Sequence, residues 1–321
     1  MDPLSHVVAG RAVTALFDNG HHGRSLGAAA IIGALSPDVD VSLAPAGWDI
    51  YLRAHQAGTH SIAGALLVAC ASAAIVRGLA RGSRYAPLAA AAAAGAISHL
   101  VLDVISGARI RLAWPFVDAR VALPLVAMAD PSLVAIFVVG LLALWPGQQR
   151  LRTVAPFMLG IAVVFLCVKG ALLDRALRSS PLDPTSPRAV EARWASLTEW
   201  YVFERTPVAI RSWRVDSRGR PAALLLSRPL EPESALVTAS RSLDTVRNFL
   251  RAHEFGFPVE AVEGDGRAVV RWSDLRYCWR TQADGSIACT LWFGGVFGPD
   301  GRALTQEVTV GAWKQIRAAP R

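Results

Sequence analysis

Lysine is nearly absent from this 321-residue chain. It occurs only at Lys169 and Lys314, so arginine carries almost all of the 33 basic side chains and of the net charge of +8. The arginines are scattered and form no long basic block, which argues against nucleic acid as a partner. Basic charge of this kind suits anionic lipid headgroups instead. No internal repeat is found, and Met1 to His6 lacks a basic leader ahead of an apolar core, so no cleavable signal peptide is expected. Cysteine is scarce: four in all. Cys70 and Cys167 fall in apolar runs and read as inert. Cys278 and Cys289 flank Asp284-Gly285 almost symmetrically. If residues 283–286 make a hairpin turn, the pair faces across neighbouring strands, either as a disulfide, which needs an oxidising compartment, or as two buried thiols.

Apolar length is what the chain has in excess. Hydrophobic residues make up 53% of it and the mean hydropathy is +0.35, and this comes from long runs, which indicates a membrane class. Residues 6–17 read as a short helix that Asp2 or Ser5 caps, with Pro3 where a first-turn proline is tolerated. Residues 25–35 form an apolar piece too short for the ~20 residues of a span and read as re-entrant or buried in protein. Pro37 is expected to stop that helix, leaving Asp38 and Asp40 on extended or turn backbone. A loop rich in Pro, Gly and Trp leads to His55 and His60. Residues 61–80 and 86–105 are convincing spans joined by a basic turn, and 131–145 and 154–173 read as two more. Beyond Arg178 the composition changes to a Ser/Pro/Asp linker and then to strand-like alternation with one helix at 242–254. The expected architecture is a membrane α-helical bundle of about four spans plus short N-terminal helices (1–178), a linker (179–189), and a small α+β soluble domain (190–321).

His99 and Asp103 stand four apart near the end of the second span, and so on one helical face. If the two spans are antiparallel, His60 at the start of one lies level with them. An imidazole beside a carboxylate suits a divalent transition metal, and zinc accepts both at about 2.0–2.2 Å. The plainer alternative is a hydrogen bond that locks two helices. Six of the seven histidines fall at or before position 99. His6, Asp38, Asp40, His55, His60, His99 and Asp103 all sit at ends of apolar segments, enough groups for one or two ions. An Asp not used as a ligand, Asp38 in particular, could accept a proton, and His55 points either to water or to substrate. His21 and His22 between glycines read as a solvated loop, and Asp118 and Asp130 as turn residues. Arg109, Arg111 and Arg120 read as phosphate ligands or as headgroup-level charges.

The segments Met1-Asp2-Pro3-Leu4-Ser5-His6, Pro37-Asp38-Val39-Asp40, Gly58-Thr59-His60-Ser61, Ser98-His99-Leu100-Val101-Leu102-Asp103 and Trp114-Pro115-Phe116 resemble the YdjM family. These are bacterial inner-membrane proteins described as metal-dependent hydrolases. The resemblance covers roughly residues 1–140 and implies a metal site from His6, Asp38, Asp40, His60, His99 and Asp103. More loosely, the set is similar to that of zinc-dependent phospholipases C. The chain departs from the family pattern at Gln56, where an arginine is usual, and at Ser106-Gly107-Ala108-Arg109. The expectation is therefore a membrane-bound hydrolase using one or two divalent metals, zinc first, on a phosphoester or lipid-like substrate. Its partner would be the lipid bilayer, and its alternatives are a metal transporter or a structural module. The turns at 77–85 and 146–152 hold five arginines and no acid. By the positive-inside rule this leans the site and the C-terminal domain to the outside of the cytoplasm.

Overall fold

The computed structural model describes residues 1–16, 23–55, 57–144, 148–180, 182, 186–230, 232–262, 267–280 and 287–319. His21, His22, Gln56, Pro146 and the turn at 283–286 lie outside the described residues. The N-terminal part is helical. Helix α1 (Pro3–Ala15) starts as expected: the Asp2 carboxylate accepts from the Ser5 amide and hydroxyl at 2.9 and 2.7 Å, and Pro3 takes the first turn. Helix α2 (Gly23–Leu35) ends ahead of Pro37 as expected, but the chain goes on winding as a 3₁₀ helix over Ser36–Ala46, so Asp38 and Asp40 sit on 3₁₀ turns and not on extended backbone. A proline in the first turn of the new winding forfeits no hydrogen bond, which is why the chain continues.

Among the described residues, four helices are long and apolar enough to cross a membrane: Arg24–Ala46, Ile62–Leu79, Tyr85–Ile105 and Arg152–Arg178. The expected number of spans is met with a different membership. The piece at 25–35 gains length from its 3₁₀ continuation, while α6 (Pro131–Leu144) is a short apolar helix of 14 residues. Helices α4 (Ile62–Leu79) and α5 (Tyr85–Ile105) are the antiparallel pair. The outward side chains of α4 and α7 (Gln148–Arg178), such as Leu67, Ile75, Phe157 and Val164, are apolar and exposed, the surface that lipid requires. Helix α7 has 31 residues, about 46 Å at 1.5 Å each against a hydrocarbon core of roughly 30 Å. The helix is thus longer than a span needs, and toward its C-terminal end the buried Lys169 donates to the Ser196 carbonyl at 2.9 Å with its ammonium 4.8 Å from the Trp200 ring.

The centre of the bundle is packed on small residues. Ala29, Ala30, Ala65, Ala69, Ala92 and Ala96 are all fully buried. Gly33 of α2 and Gly95 of α5 let the two backbones touch: a Cβ on either would lie 2.2 Å from a carbonyl oxygen of the other helix, Ala92 or Ala30. Close approach through small residues is the usual way helices associate where no water drives them together.

Helix α3 (Trp48–His55) replaces the expected loop. Its apolar residues Trp48 and Leu52 pack on a core that begins with Val237, so the partner that stabilises this helix lies far away in sequence. The C-terminal part is sheet-rich. Strands β1 (Arg188–Ala192), β2 (Glu199–Arg205), β3 (Ala209–Asp216) and β4 (Ala223–Pro229) form an antiparallel meander. After helices α8 (Ala235–Ser240) and α9 (Asp244–Ala252) come β5 (Gly256–Val262), β6 (Ala268–Asp274), β7 (Cys278–Arg280), β8 (Ile287–Cys289), β9 (Leu291–Phe297), β10 (Ala303–Val310) and β11 (Trp313–Ala318). The second sheet runs β11-β10-β9-β6-β5, and β7 and β8 pair separately with Cys278 opposite Cys289. Those two cysteines are joined in a disulfide. Phe203, Ile210 and Leu226 of the first sheet meet Phe255, Phe257 and Leu275 between the sheets. α9 covers the other face of the second sheet through Val246 and Phe249.

The sheets are docked on the bundle. Trp200 and Val215 join the core of α1, α6 and α7, and the Trp200 indole donates to the Pro124 carbonyl at 3.1 Å. Asp49 of α3, almost fully buried, accepts from Asn248 at 3.1 Å and pairs with Arg317. Arg109 and Arg120, beyond the end of α5, pair with Glu254 at 2.9 and 3.2 Å. The sheets thus sit at the end of the bundle where α5 finishes and α4 begins.

Candidate metal centre

Five separate stretches converge at that end. His6 comes from the first turns of α1, Asp38 and Asp40 from the 3₁₀ helix, and His55 from the last residue of α3. His60 ends the 3₁₀ turn Gly58–His60, and His99 and Asp103 lie on α5. His6, His60 and His99 are fully buried and Asp103 nearly so. Asp103 Oδ2 lies 3.1 Å from His99 Nε2 and 3.5 Å from His60 Nε2, while Oδ1 lies 3.5 Å from His6 Nε2 and bonds the Met1 amino group. Asp38 Oδ1 stands 3.3 Å from His60 Nε2 and 3.6 Å from His99 Nε2. The two ring nitrogens of His60 and His99 are 3.3 Å apart, and the His6 and His99 rings stack at 3.8 Å. Spacing along one helix put His99 beside Asp103, and the antiparallel spans carry His60 to the same level.

Groups one step out fix the rings. His99 Nδ1 donates to the Ala34 carbonyl at 2.7 Å, which leaves Nε2 with a free lone pair toward the cluster. Asp40 does the same work for two rings: its carboxylate meets His60 Nδ1 at 3.3 Å and His55 Nδ1 at 3.1 Å, and accepts from the Thr59 hydroxyl at 3.2 Å. With three partners on one carboxylate, Asp40 faces the backs of the rings rather than the space between their Nε2 atoms. Burial disfavours charge on His60, but its hydrogen bonds to the Asp38 and Asp40 carboxylates outweigh this and push it up to about 9. Burial is also the largest influence on His6, and it holds that imidazole below its ordinary value despite Asp103.

The groups have the geometry of ligands. Among the described residues, three sets bring one donor atom per residue within 4.8 Å of one another: His6 with Asp38 and His99, Asp38 with His55 and His60, and His60 with His99 and Asp103. His6 carries the test of fit. It is fully buried, yet neither Nδ1 nor Nε2 has a hydrogen-bond partner, and an unsatisfied buried polar group costs on the order of 1–3 kcal/mol. A divalent ion against Nε2 would satisfy it, and neutral imidazoles with carboxylates are the donor chemistry such ions take.

The remaining candidates fall elsewhere. Asp130 accepts from the amides of Ser132 and Leu133 at 2.9 and 3.3 Å and so starts α6. Asp118 pairs with Arg111 at 2.7 Å. Arg109 and Arg120 are engaged by Glu254 and tie the sheets to the bundle. Reading in sequence order left Asp49 unremarked, and its burial under Asn248 and Arg317 has no local signature. Arg251 also went unremarked: it lines a cavity together with Asp40 and Thr59.

The chain is a helical membrane protein with a buried histidine–carboxylate cluster at one end of the bundle. Residues 1–175 match the model of the YdjM inner membrane protein family, and the chain belongs to that family. No curated protein and no solved structure matches it.

Proposed function

We propose that the protein is a membrane-bound metal-dependent hydrolase of the bacterial inner membrane, acting on a phosphoester of a lipid-like substrate. The observation that carries this reading is the fully buried, unbonded His6 in a shell whose ring nitrogens and carboxylate oxygens already face one another. Three interlocking ligand sets sharing Asp38, His60 and His99 suit one or two ions, zinc being the donor set's natural choice. A bound divalent ion supplies a polarised substrate oxygen and a water whose pKa falls toward about 7.

The chain's own groups do the rest. His6, His60, His99 and Asp103 would hold the ion, with Asp38 beside it. Asp40 orients His60 and His55, and the Ala34 carbonyl orients His99. Asp38, whose side chain is 36% exposed, is the carboxylate able to take a proton from water at the open side. His55, 30% exposed and hydrogen-bonded to Asp40, can return one to the leaving group. The Cys278–Cys289 disulfide and the acid-free arginine turns at the opposite end support a C-terminal region outside the cytoplasm.

Full-length protein purified in detergent tests the reading. Elemental analysis is expected to find bound zinc, and metal-dependent hydrolysis of bis(4-nitrophenyl) phosphate should be lost in His99→Ala and Asp103→Ala. Protein without any bound ion would leave the cluster as a helix-locking network. Metal flux in liposomes without turnover would make it a transit site.

A further inference from the structure

Beside the outer shell of the candidate centre lies a cavity of about 680 Å³, within the roughly 300–1,000 Å³ usual for small-molecule sites. Asp40 and Thr59 lie on its wall, so it reaches the shell that orients His55 and His60. Two kinds of surface meet there. One is apolar and outward-facing: Val39, Leu43 and Trp114 line the cavity and are also 53%, 37% and 40% exposed. Phe116, two residues beyond Trp114, is 85% exposed. Val39 and Leu43 stand in the last turns of the apolar run Arg24–Ala46, and Trp114 and Phe116 follow the end of α5. The other surface is positive. Arg53 of α3 and Arg251 of α9 line this cavity and an adjoining one of about 520 Å³. The neighbouring guanidiniums are engaged, Arg111 by Asp118, Arg247 by Asp244 and Arg317 by Asp49. Among the described residues, no carboxylate engages Arg53 or Arg251.

We propose that this cavity binds an anionic phospholipid. Arg53 and Arg251 hold its phosphate, and an acyl chain leaves over Val39, Leu43 and Trp114 into the bilayer. Guanidinium forks match phosphate oxygens in pairs, which a point-charge ammonium cannot. The apolar wall selects a lipid over a free phosphate, and the proximity of Asp40 sets the phosphoester beside the candidate centre. Arg53 belongs to the stretch that matches the family and Arg251 does not, so the anion site is complete only when the C-terminal region is docked through Asp49 and Glu254. That gives the region a role: it supplies half of the headgroup clamp. The substrate identity rests on the hydrolase reading, whereas the binding itself does not.

The test is lipid binding by the full-length protein in dodecylmaltoside micelles, followed with fluorescent dioleoyl phosphatidate and checked against zinc content and thermal midpoint. Wild type should bind phosphatidate well above dioleoyl phosphatidylcholine. Arg53→Gln and Arg251→Gln should each weaken phosphatidate about tenfold or more, the scale of a charge-assisted hydrogen bond, with zinc and midpoint unchanged. His99→Ala should lose zinc and keep phosphatidate, which separates failure of this proposal from failure of the hydrolase reading. On wild type, phosphatidate carrying an acyl-chain diazirine should crosslink to Leu43 or Trp114, a readout that needs no variant to fold. Equal binding of the two lipids, glutamine variants that bind as wild type does, or crosslinks confined to α4 and α7 would overturn the proposal. So would inorganic phosphate that displaces phosphatidate at equal concentration, since the site would then read the phosphate alone.

Discussion

Adding one methyl group at Gly33 should empty the proposed metal centre without touching any of its candidate ligands. A Cβ there would lie 2.2 Å from the Ala92 carbonyl oxygen and 2.6 Å from the Ala92 Cα, against ordinary contact at 3.4 Å or more. Both opposing atoms are backbone, so no side chain can rotate away, and α5 must recede from α2 by about 1 Å. The next residue along α2, Ala34, carries the carbonyl that holds His99 Nδ1 at 2.7 Å. The same displacement takes that bond past hydrogen-bond range and shifts His99 Nε2 by several times the ~0.2 Å tolerance of a metal–ligand distance. Overpacking alone should cost about 1–3 kcal/mol. Gly33→Ala is therefore expected to lower the thermal midpoint in detergent and to reduce bound zinc to a small fraction of wild type. Gly78→Ala is the matched control, because a Cβ on that α4 glycine meets nothing within 4 Å and should leave both measurements intact. A Gly33→Ala protein with wild-type midpoint and metal content would refute the claim that α2–α5 contact positions the centre.

Three further outcomes are expected. Burial, with Arg276 beside it, pushes His253 from its usual 6.5 down to about 4. The folded state thus favours the neutral ring, and stability present above pH 6.5 is lost as pH falls from 6.5 to 4, by about 3 kcal/mol. Chemical denaturation of wild type and His253→Asn across that range should show a clearly steeper slope in wild type, and equal slopes would refute the assignment. Asp49→Ala leaves Arg317 and Asn248 without their buried acceptor, and breaking such a pair costs roughly 3–5 kcal/mol. Amide hydrogen exchange should quicken in α3 and α9 while the β1–β4 meander stays protected, and unchanged exchange would deny Asp49 its docking role. In intact cells, Cys278 and Cys289 should resist alkylation by a membrane-impermeant maleimide until reductant is added. Labelling that needs permeabilised membranes would put the C-terminal region in the cytoplasm.

What could be read in the sequence followed from periodicity and short spacing. His99 and Asp103 are one helical turn apart, so their pairing needs only α5 to form. His60 enters because the 61–80 and 86–105 runs are long enough to be spans and close enough to be antiparallel. Asp2 capping α1 and the strands from Trp200 onward are likewise local. Most misses share one cause, a deciding partner that is remote, and one, at Pro37, is local. Trp48–His55 looked like loop because its apolar face is satisfied by residues near Val237. The apolar piece after Gly23 looked too short because Pro37 signals a stop, whereas here it begins a tighter winding. Arg109 and Arg120 looked like phosphate or headgroup ligands, since nothing near them in sequence announces Glu254.

The same remoteness explains how so many ionisable groups stay together without solvent. Asp38, Asp40 and Asp103 would repel one another, and buried imidazoles lose hydration. Alone, α5 offers two ligands and could not hold an ion. Convergence requires the glycine–alanine contact of α2 with α5 to set His99, the cap of α1 to set His6, and α3 to hold His55 against Asp40. α3 in turn depends on Asn248 and Arg317 for the burial of Asp49. The soluble sheets therefore belong to the site mechanically. They clamp the helix that ends in His55 and leave Arg251 facing the cavity beside it. Truncation after α7 should accordingly retain the His60–His99–Asp103 set, on α5 and the 3₁₀ turn ahead of α4, while loosening His55, so that zinc retention with loss of phosphatidate binding is the expected signature. Loss of zinc together with the lipid would mean that the sheets hold the whole cluster rather than its outer edge.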